Sequence, residues 1–364
     1  MPTEKTVYAN LLSRLLMASV FENQWAFPVR RPGLPERFFA WYERHGMRIR
    51  IDAIAVDRPI FIISLPRSGS SMLQDLICAH PDVAYITNMM YMFPASPCAS
   101  EFFRRKLHLN VHGERFLQDS VDVNAGSPAD PVATWARWLK QDPFGVSAET
   151  CAIGDFTPAE LDLIRNDIRR ILWCFGGAGR RFQCKTPALL PHIELLQAIF
   201  PDARFIYLLR DGRNNANSML KLNRLCVEQL ERIRGRLGDR LQVDARPFVP
   251  YPRLPRLPEY IAAYGADDIR TTASLWRDAC LFMEDAKPRI RHLHEVRYED
   301  IVARPAQAME AIFGFCELRP PGAAETAYAD RLSRVGVLRH MNRYGNFDEV
   351  ERICGDMLRH HRYL

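Results

Sequence analysis

The run Ile60-Phe61-Ile62-Ile63-Ser64-Leu65-Pro66-Arg67-Ser68-Gly69-Ser70-Ser71-Met72-Leu73-Gln74-Asp75-Leu76-Ile77 decides the fold. Its first four residues are apolar and mostly β-branched with no polar alternation, the pattern of a strand buried on both faces of a parallel sheet. Met72 to Ile77 has helical spacing, and the helix is expected to stop near His80-Pro81. Between them lies a short turn of small polar residues around Gly69, which lets the backbone approach a ligand closely. Such a turn presents free N–H groups and the positive end of a helix dipole, so it suits phosphate or sulfate.

Working outward, strands are predicted at Arg181–Cys184 and Arg204–Leu209, separated by a helix over Pro191–Phe200. This alternation predicts βαβ units. Ala159–Phe175 is helical by spacing. A helix over Ile269–Glu284 precedes a strand at His294–Tyr298, and helices follow at Ala306–Phe315 and Phe347–His360. The expected class is α/β, three layers (α/β/α) around a central, mainly parallel sheet with helical additions. Residues 1–50 read as a helical arm packed on the core, with an aromatic-rich turn at Phe38, Phe39 and Trp41. Residues 51–364 read as a single domain with insertions at about 85–155 and 224–268. Inside the second insertion, Arg246–Pro258 carries five prolines and reads as an ordered loop. The arginines before it (Arg232, Arg234, Arg236, Arg240) read as a solvated helix face, with an acceptor lid as the alternative.

The 364 residues are 48% hydrophobic, enough for a real core, which excludes global disorder. Forty-nine basic against 43 acidic residues leave a formal charge of +6 and no polybasic tail, so one anion pocket is expected rather than a nucleic-acid surface. The N-terminal apolar run is broken by Ser13 and Arg14 and reads as an amphipathic helix, neither a signal peptide nor a transmembrane span. Nine scattered cysteines without a C-x-x-C pair suit reduced thiols and a cytoplasmic location. The histidines show no metal-ligand spacing, so no metal is expected.

Against the nucleotide triphosphate loop G-x-x-x-x-G-K-[ST], Ser64 takes the first glycine position, Gly69 and Ser71 match, and Ser70 replaces the lysine. Arg67 supplies the cation instead, which disfavours a nucleotide kinase. A second strand-to-helix turn follows Leu209: Arg210-Asp211-Gly212-Arg213-Asn214-Asn215-Ala216-Asn217-Ser218-Met219. Its spacing puts a guanidinium at a strand end and a hydroxyl two turns into the next helix, where both reach one phosphate group.

With both turns in this order, the chain resembles the sulfotransferases that use 3'-phosphoadenosine 5'-phosphosulfate. LPRSGSS resembles their 5'-phosphosulfate loop and RDGRNNANSM their 3'-phosphate motif. Lys185-Thr186-Pro187 resembles the lysine-bearing strand end, and Val296-Arg297-Tyr298-Glu299-Asp300-Ile301 the late strand and loop. The tyrosylprotein and broad bacterial branches look most similar. The resemblance implies a P-loop NTPase-like sulfotransferase fold over roughly residues 58 to 360. It implies that Arg67, Ser68, Gly69, Ser70 and Ser71 hold the 5'-phosphosulfate, Arg210 and Ser218 the 3'-phosphate, and that Lys185 stabilises charge on the transferring group. Tyr298 is placed in the nucleotide pocket, with Ser333, Arg339 or Arg343 covering it.

A hydroxyl acceptor also needs a base. The family's glutamate position is taken here by Asn88, and its histidine position by Pro187, Ala188 and Leu189. His192 is the nearest candidate, ahead of His108, His112 and Glu101, while His80 reads as a helix end. The expected activity is sulfuryl transfer from 3'-phosphoadenosine 5'-phosphosulfate to a hydroxyl or amine of a small-molecule, lipid, carbohydrate or peptide acceptor. A catalytically impaired nucleotide- or partner-binding homologue is the alternative, and a nucleotide kinase ranks below it.

Overall fold

The computed structural model describes residues 7–15, 33–114, 122–142, 151–237, 248–322, 325–336, 342 and 345–364. Five strands form the main sheet: β1 (Ile60–Ser64), β2 (Val83–Tyr85), β3 (Arg181–Lys185), β4 (Arg204–Leu209) and β5 (Leu293–Arg297). Their order is β2-β3-β1-β4-β5, and every neighbouring pair is parallel. Parallel neighbours need crossovers, and the helices that supply them cover both faces.

Side chains alternate across the sheet, as strand geometry requires. Phe61 and Ile63 of β1, with Phe182, Phe205 and Tyr207, belong to one buried cluster. That face is covered by α3 (Pro158–Cys174), α5 (Ile269–Ala286), α9 (Phe347–His360) and the short helix Ile193–Ile199. Ile60 and Ile62, with Ile206, Leu208 and Val296, face the other way onto α1 (Ser70–Cys78) and α7 (Pro305–Phe315). The protein therefore has the α/β/α layering expected.

Boundaries follow local chemistry. Thr157 caps α3 by accepting from the Glu160 N–H, with Glu160 returning the bond to the Thr157 N–H, a reciprocal capping box. The helix expected over Pro191–Phe200 is split: a 3-10 turn, Pro187–His192, precedes Ile193–Ile199 because the prolines cannot donate the bonds of a continuous helix. Tyr298, expected to end β5, instead begins α6 (Tyr298–Ala303).

The N-terminal arm differs from expectation. Val7–Tyr8 is a strand paired antiparallel with Val111–Glu114, which pairs in turn with Asp122–Asn124. Residues 11–15 are helical. Phe38, Phe39 and Trp41 lie on a helix, Leu34–His45, rather than in a turn. Phe39 and the Phe103 ring stack at 5.4 Å, fixing that helix against α2 (Pro97–Lys106). The inserted region thus holds more regular structure than its polar composition suggested. Most of the proline-rich loop, 248–256, is ordered and buries Phe248, Val249 and Leu254. Arg246, Pro247 and Arg240 lie outside the described residues. Among the described residues, no helix is long and apolar enough to cross a membrane.

Candidate functional site at the carboxyl edge of the sheet

The two motif turns and the lysine strand leave the sheet at the same edge. Ser64 pairs with Leu208 and Ile62 with Lys185, so β1, β3 and β4 end side by side. Leu209 pairs with Arg297, which brings Tyr298 to this edge as well. In open parallel sheets that edge is where ligands bind.

The loop after β1 is built to stay open. Arg67 has φ 66° and Gly69 φ 88°, two left-handed residues within three positions. For arginine this conformation costs on the order of 1–2 kcal/mol, a strain the surrounding contacts must hold. Gly69 is required twice over: a Cβ there would sit 2.3 Å from the Tyr298 ring. The Ser68 hydroxyl donates to the Leu65 carbonyl at 2.9 Å, and Asn215 Nδ2 donates to both the Pro66 carbonyl and Ser68 Oγ at 3.1 Å. Ser70 and Ser71 open α1, whose first N–H groups face the same turn.

The second turn is tied to the first. Arg210 Nη1 donates to the Arg67 carbonyl at 2.7 Å, and Arg67 Nε donates to Ser218 Oγ at 3.0 Å. Ser218 lies on α4 (Gly212–Leu237), so Arg67 links Arg210 to Ser218. The Arg210 guanidinium lies over the Tyr298 ring, 4.7 Å from its centroid. Burial depresses its pKa, Nε has no partner, and no carboxylate among the described residues lies within ion-pair distance. An anion bound there would complete the half-buried cation. Trp276 of α5 donates from Nε1 to the Arg210 carbonyl at 3.1 Å and stands where a Cβ on Gly212 would collide at 2.8 Å.

Outside these contacts a second shell locks the turn. Asp211 pairs with Arg213 at 2.7 Å, and Arg213 also bonds Glu351 at 3.0 Å and the Tyr363 carbonyl at 2.9 Å. Glu299 accepts from the Asp211 N–H and from the Tyr363 hydroxyl, each at 3.0 Å. Arg297 donates to the His361 carbonyl.

Lys185 is 4% exposed and bonds Asp130 Oδ2 at 2.9 Å. Asp130 precedes the helix Val132–Trp138, which Trp135 anchors by donating to Cys184 Sγ at 3.1 Å and packing edge-on to Phe61. The Asp130 side chain is 37% exposed, but its Oδ1 is buried and has no hydrogen-bond partner. Sequence reasoning missed Asp130: it sits in a polar insertion 55 residues from its partner, and only the pairing of Trp135 with β3 brings them together.

The other acid-base candidates are placed elsewhere. His192 Nε2 is 3.0 Å from Gln141 Nε2, its Nδ1 is buried without a partner, and burial pushes its pKa down to about 4. Glu101 is consumed by Arg104 and Arg105 at 2.6–2.8 Å. Asn88 donates to the Asn124 carbonyl at 2.9 Å. His80 contacts the Arg319 carbonyl at 3.0 Å and accepts from the Asp82 N–H, closing the end of α1 as expected. His108 has a positive φ of 51°, and His112 lies on the Val111–Glu114 strand. Ser333 is exposed at the end of α8 (Thr326–Ser333) and donates to its own helix at Asp330, while Arg339 and Arg343 lie outside the described residues. One group of metal-ligating side chains occurs among the described residues, Glu284 with His360 and His361, where Lys287 already neutralises Glu284 and Glu295.

Comparison with known proteins agrees with this geometry. The chain is 23% identical over 176 residues to the omega-hydroxy-beta-dihydromenaquinone-9 sulfotransferase Stf3 of Mycobacterium bovis, and equally to that of Mycobacterium tuberculosis. Each match covers 46% of this chain and 45% of the relative, so the chain spans less than half the length of the curated relatives it matches. Its fold is similar to the crystal structure of sulfotransferase STF9 from Mycobacterium avium, with a TM-score of 0.53 at 15% identity over 98% of this chain and 87% of that one. The sequence profile of the sulfotransferase family matches residues 59–246, more than half of the chain and the whole span from β1 through both anion turns. The protein belongs to the sulfotransferase family.

Proposed function

We propose that the protein transfers the sulfuryl group of 3'-phosphoadenosine 5'-phosphosulfate to an acceptor hydroxyl, releasing 3'-phosphoadenosine 5'-phosphate. The observation that carries this reading is Arg210, a half-buried guanidinium whose buried Nε has no partner, bonded through Nη1 to the Arg67 carbonyl of the first loop. The loop from Arg67 to Ser71 would hold the 5'-phosphosulfate, and Arg210 with Ser218 the 3'-phosphate, with the Tyr298 ring forming the wall between them.

The transfer is an in-line displacement at sulfur, so positioning and charge stabilisation dominate. The acceptor oxygen bonds to sulfur as the bridging P–O–S bond breaks, and the leaving phosphate oxygen takes the electron pair. Lys185, buried on one side and facing Asp130 on the other, neutralises that charge. Asp130 takes the acceptor's proton, which fills the role that no family position supplies: its Oδ1 is buried without a hydrogen-bond partner and its Oδ2 touches the lysine directly. The acceptor then enters over Asp130, beside the proline-rich loop, which is tied to that wall by Arg253 donating to the Asp142 carbonyl. We take the acceptor as a lipid-borne hydroxyl, by analogy with the relatives whose names specify a hydroxylated menaquinone.

The test is donor turnover. Purified protein incubated with the donor, labelled in its sulfuryl group, and a lipid extract should release 3'-phosphoadenosine 5'-phosphate and label a lipid. Binding of that nucleotide with no release from the donor under any acceptor pool would leave a binding protein only. Preference for ATP with magnesium would favour a kinase.

A further inference from the structure

We infer that the helix Leu34–His45 docks the protein on an anionic lipid bilayer. The inference concerns this surface alone and stands whether or not the proposed transfer reaction is correct.

The helix has two apolar faces where a surface helix normally has one. Its inner face is satisfied: Phe39 is buried between Phe93 and Phe103, and the Tyr42 ring packs on Phe103 at 4.8 Å. Its outer stripe is Leu34, Phe38 and Trp41, spaced four and three residues apart, with exposures of 80%, 48% and 59%. Leu11 and Leu15 on residues 11–15, and Leu107 at the end of α2, are also largely exposed. Asn10 bonds the Leu107 and His108 carbonyls, so these leucines border one another.

Charge decides what covers this stripe. Arg37 and Arg44 flank it on the same helix, Arg48 and Arg50 follow it, and Arg14 lies beside Leu15; all five are exposed. None of the five has an ion-pair partner among the described residues. The two acids of the helix turn away from the rim: Glu36 accepts from the Gly33 N–H and Glu43 from the Ala99 N–H. Exposed Leu, Phe and Trp side chains on a helix that also carries unpaired arginines match an interface whose apolar interior lies under a negative surface. A protein partner would need a concave apolar pocket ringed with acids to meet the same shape.

The position is useful. This helix packs on α2, and the inserted layer that holds α2 also carries Asp130 through the segment 124–130, which bonds Asn88 and Met89. A docked protein would present the Asp130 side of its cleft on the layer that meets the lipid.

The experiment is flotation of the purified protein with vesicles of phosphatidylcholine alone and of phosphatidylcholine containing about one-third phosphatidylglycerol. Binding to the anionic vesicles should be at least about tenfold tighter and should weaken at high salt. Phe38→Ser with Trp41→Ser should lose about tenfold or more of that binding while keeping the native circular dichroism spectrum. Because the Phe38 ring also contacts Phe103 at 5.7 Å, Leu34→Ser with Trp41→Ser is the second variant; both of its side chains are more than half exposed. Quenching of tryptophan emission by brominated acyl chains, present in the wild type and lost in Trp41→Phe, would place Trp41 in the bilayer. Equal binding of wild type and both variants overturns the proposal. So does a fall in molar mass by light scattering on substitution, which would assign the face to contact between two copies of the chain.

Discussion

Arg210 donates to the main-chain carbonyl of Arg67 at 2.7 Å, although 143 residues separate them. Two cations therefore stand together at the end of β1 and β4, with the Ser218 hydroxyl bonded to Arg67 and the Tyr298 ring beneath Arg210. Like charges held this close repel, and the depressed pKa of Arg210, caused first by burial, has Arg67 among its causes. The arrangement stores electrostatic free energy that a bound dianion releases.

Replacing Arg210 with methionine should weaken binding of 3'-phosphoadenosine 5'-phosphate by at least about 1.5 kcal/mol, roughly tenfold. The nucleotide-free protein should lose little stability, because the charge removed was itself half-buried without a carboxylate. Calorimetric titration and a thermal melt of the free protein read the two effects separately. Unchanged affinity removes Arg210 from the site.

Gly69→Ala should destabilise the protein by about 1 kcal/mol or more through its left-handed backbone alone, with a further cost from the Tyr298 ring. Adding Tyr298→Ala should recover part of the second cost and none of the first. A double-mutant cycle in urea should show coupling of at least about 0.5 kcal/mol. Strict additivity would mean that the ring is not what excludes a side chain at position 69.

Asp130→Asn keeps an oxygen for Lys185 but cannot take a proton. Turnover should fall about a hundredfold or more, with nucleotide affinity unchanged. Lys185→Ala should lower turnover more than donor affinity, since its contact grows in the transition state. Full activity in Asp130→Asn would return the search for a base to other residues.

His192 bears on stability rather than on turnover. Burial lowers its folded-state pKa to about 4, below the value near 6.5 of an unfolded histidine. Between those values the unfolded chain binds the extra proton, so stability rises with pH through this window and is lost as pH falls from about 6.5 toward 4. The contribution is on the order of 3 kcal/mol at full development. His192→Gln should flatten the dependence of Tm on pH over that range; an unchanged slope would place the titrating group elsewhere.

The parts of the fold legible in the sequence are those whose signals are local. β1 and α1 are announced by a β-branched run, a glycine and a helical period, and Phe347–His360 has the bounds its spacing predicts. Val83–Tyr85 was not visible because three residues carry no period, and it becomes a strand only by adding to the edge of β3. The Phe38-Phe39-Trp41 cluster was misplaced in a turn because its helix shows apolar residues on two faces, which blurs the amphipathic pattern. Both anion turns were legible as turns, but the bond from Arg67 to Ser218 and the contact of Trp276 with Arg210 were not. Asp130 was hidden for the same reason: pairing across distant segments leaves no trace in residue spacing.

The latch formed by Arg213, Glu299 and Tyr363 bears on the order in which the molecule is assembled. Arg213 of the turn after β4 donates to the carbonyl of Tyr363, 150 positions downstream, and the Tyr363 hydroxyl donates to Glu299, which holds the Asp211 N–H of the same turn. On a ribosome, β1 to β4 emerge long before Tyr363 does, so the sheet can form around a cleft whose outer wall is still unmade. On the proposed function, nucleotide capture would wait until residues 361 to 363 have emerged.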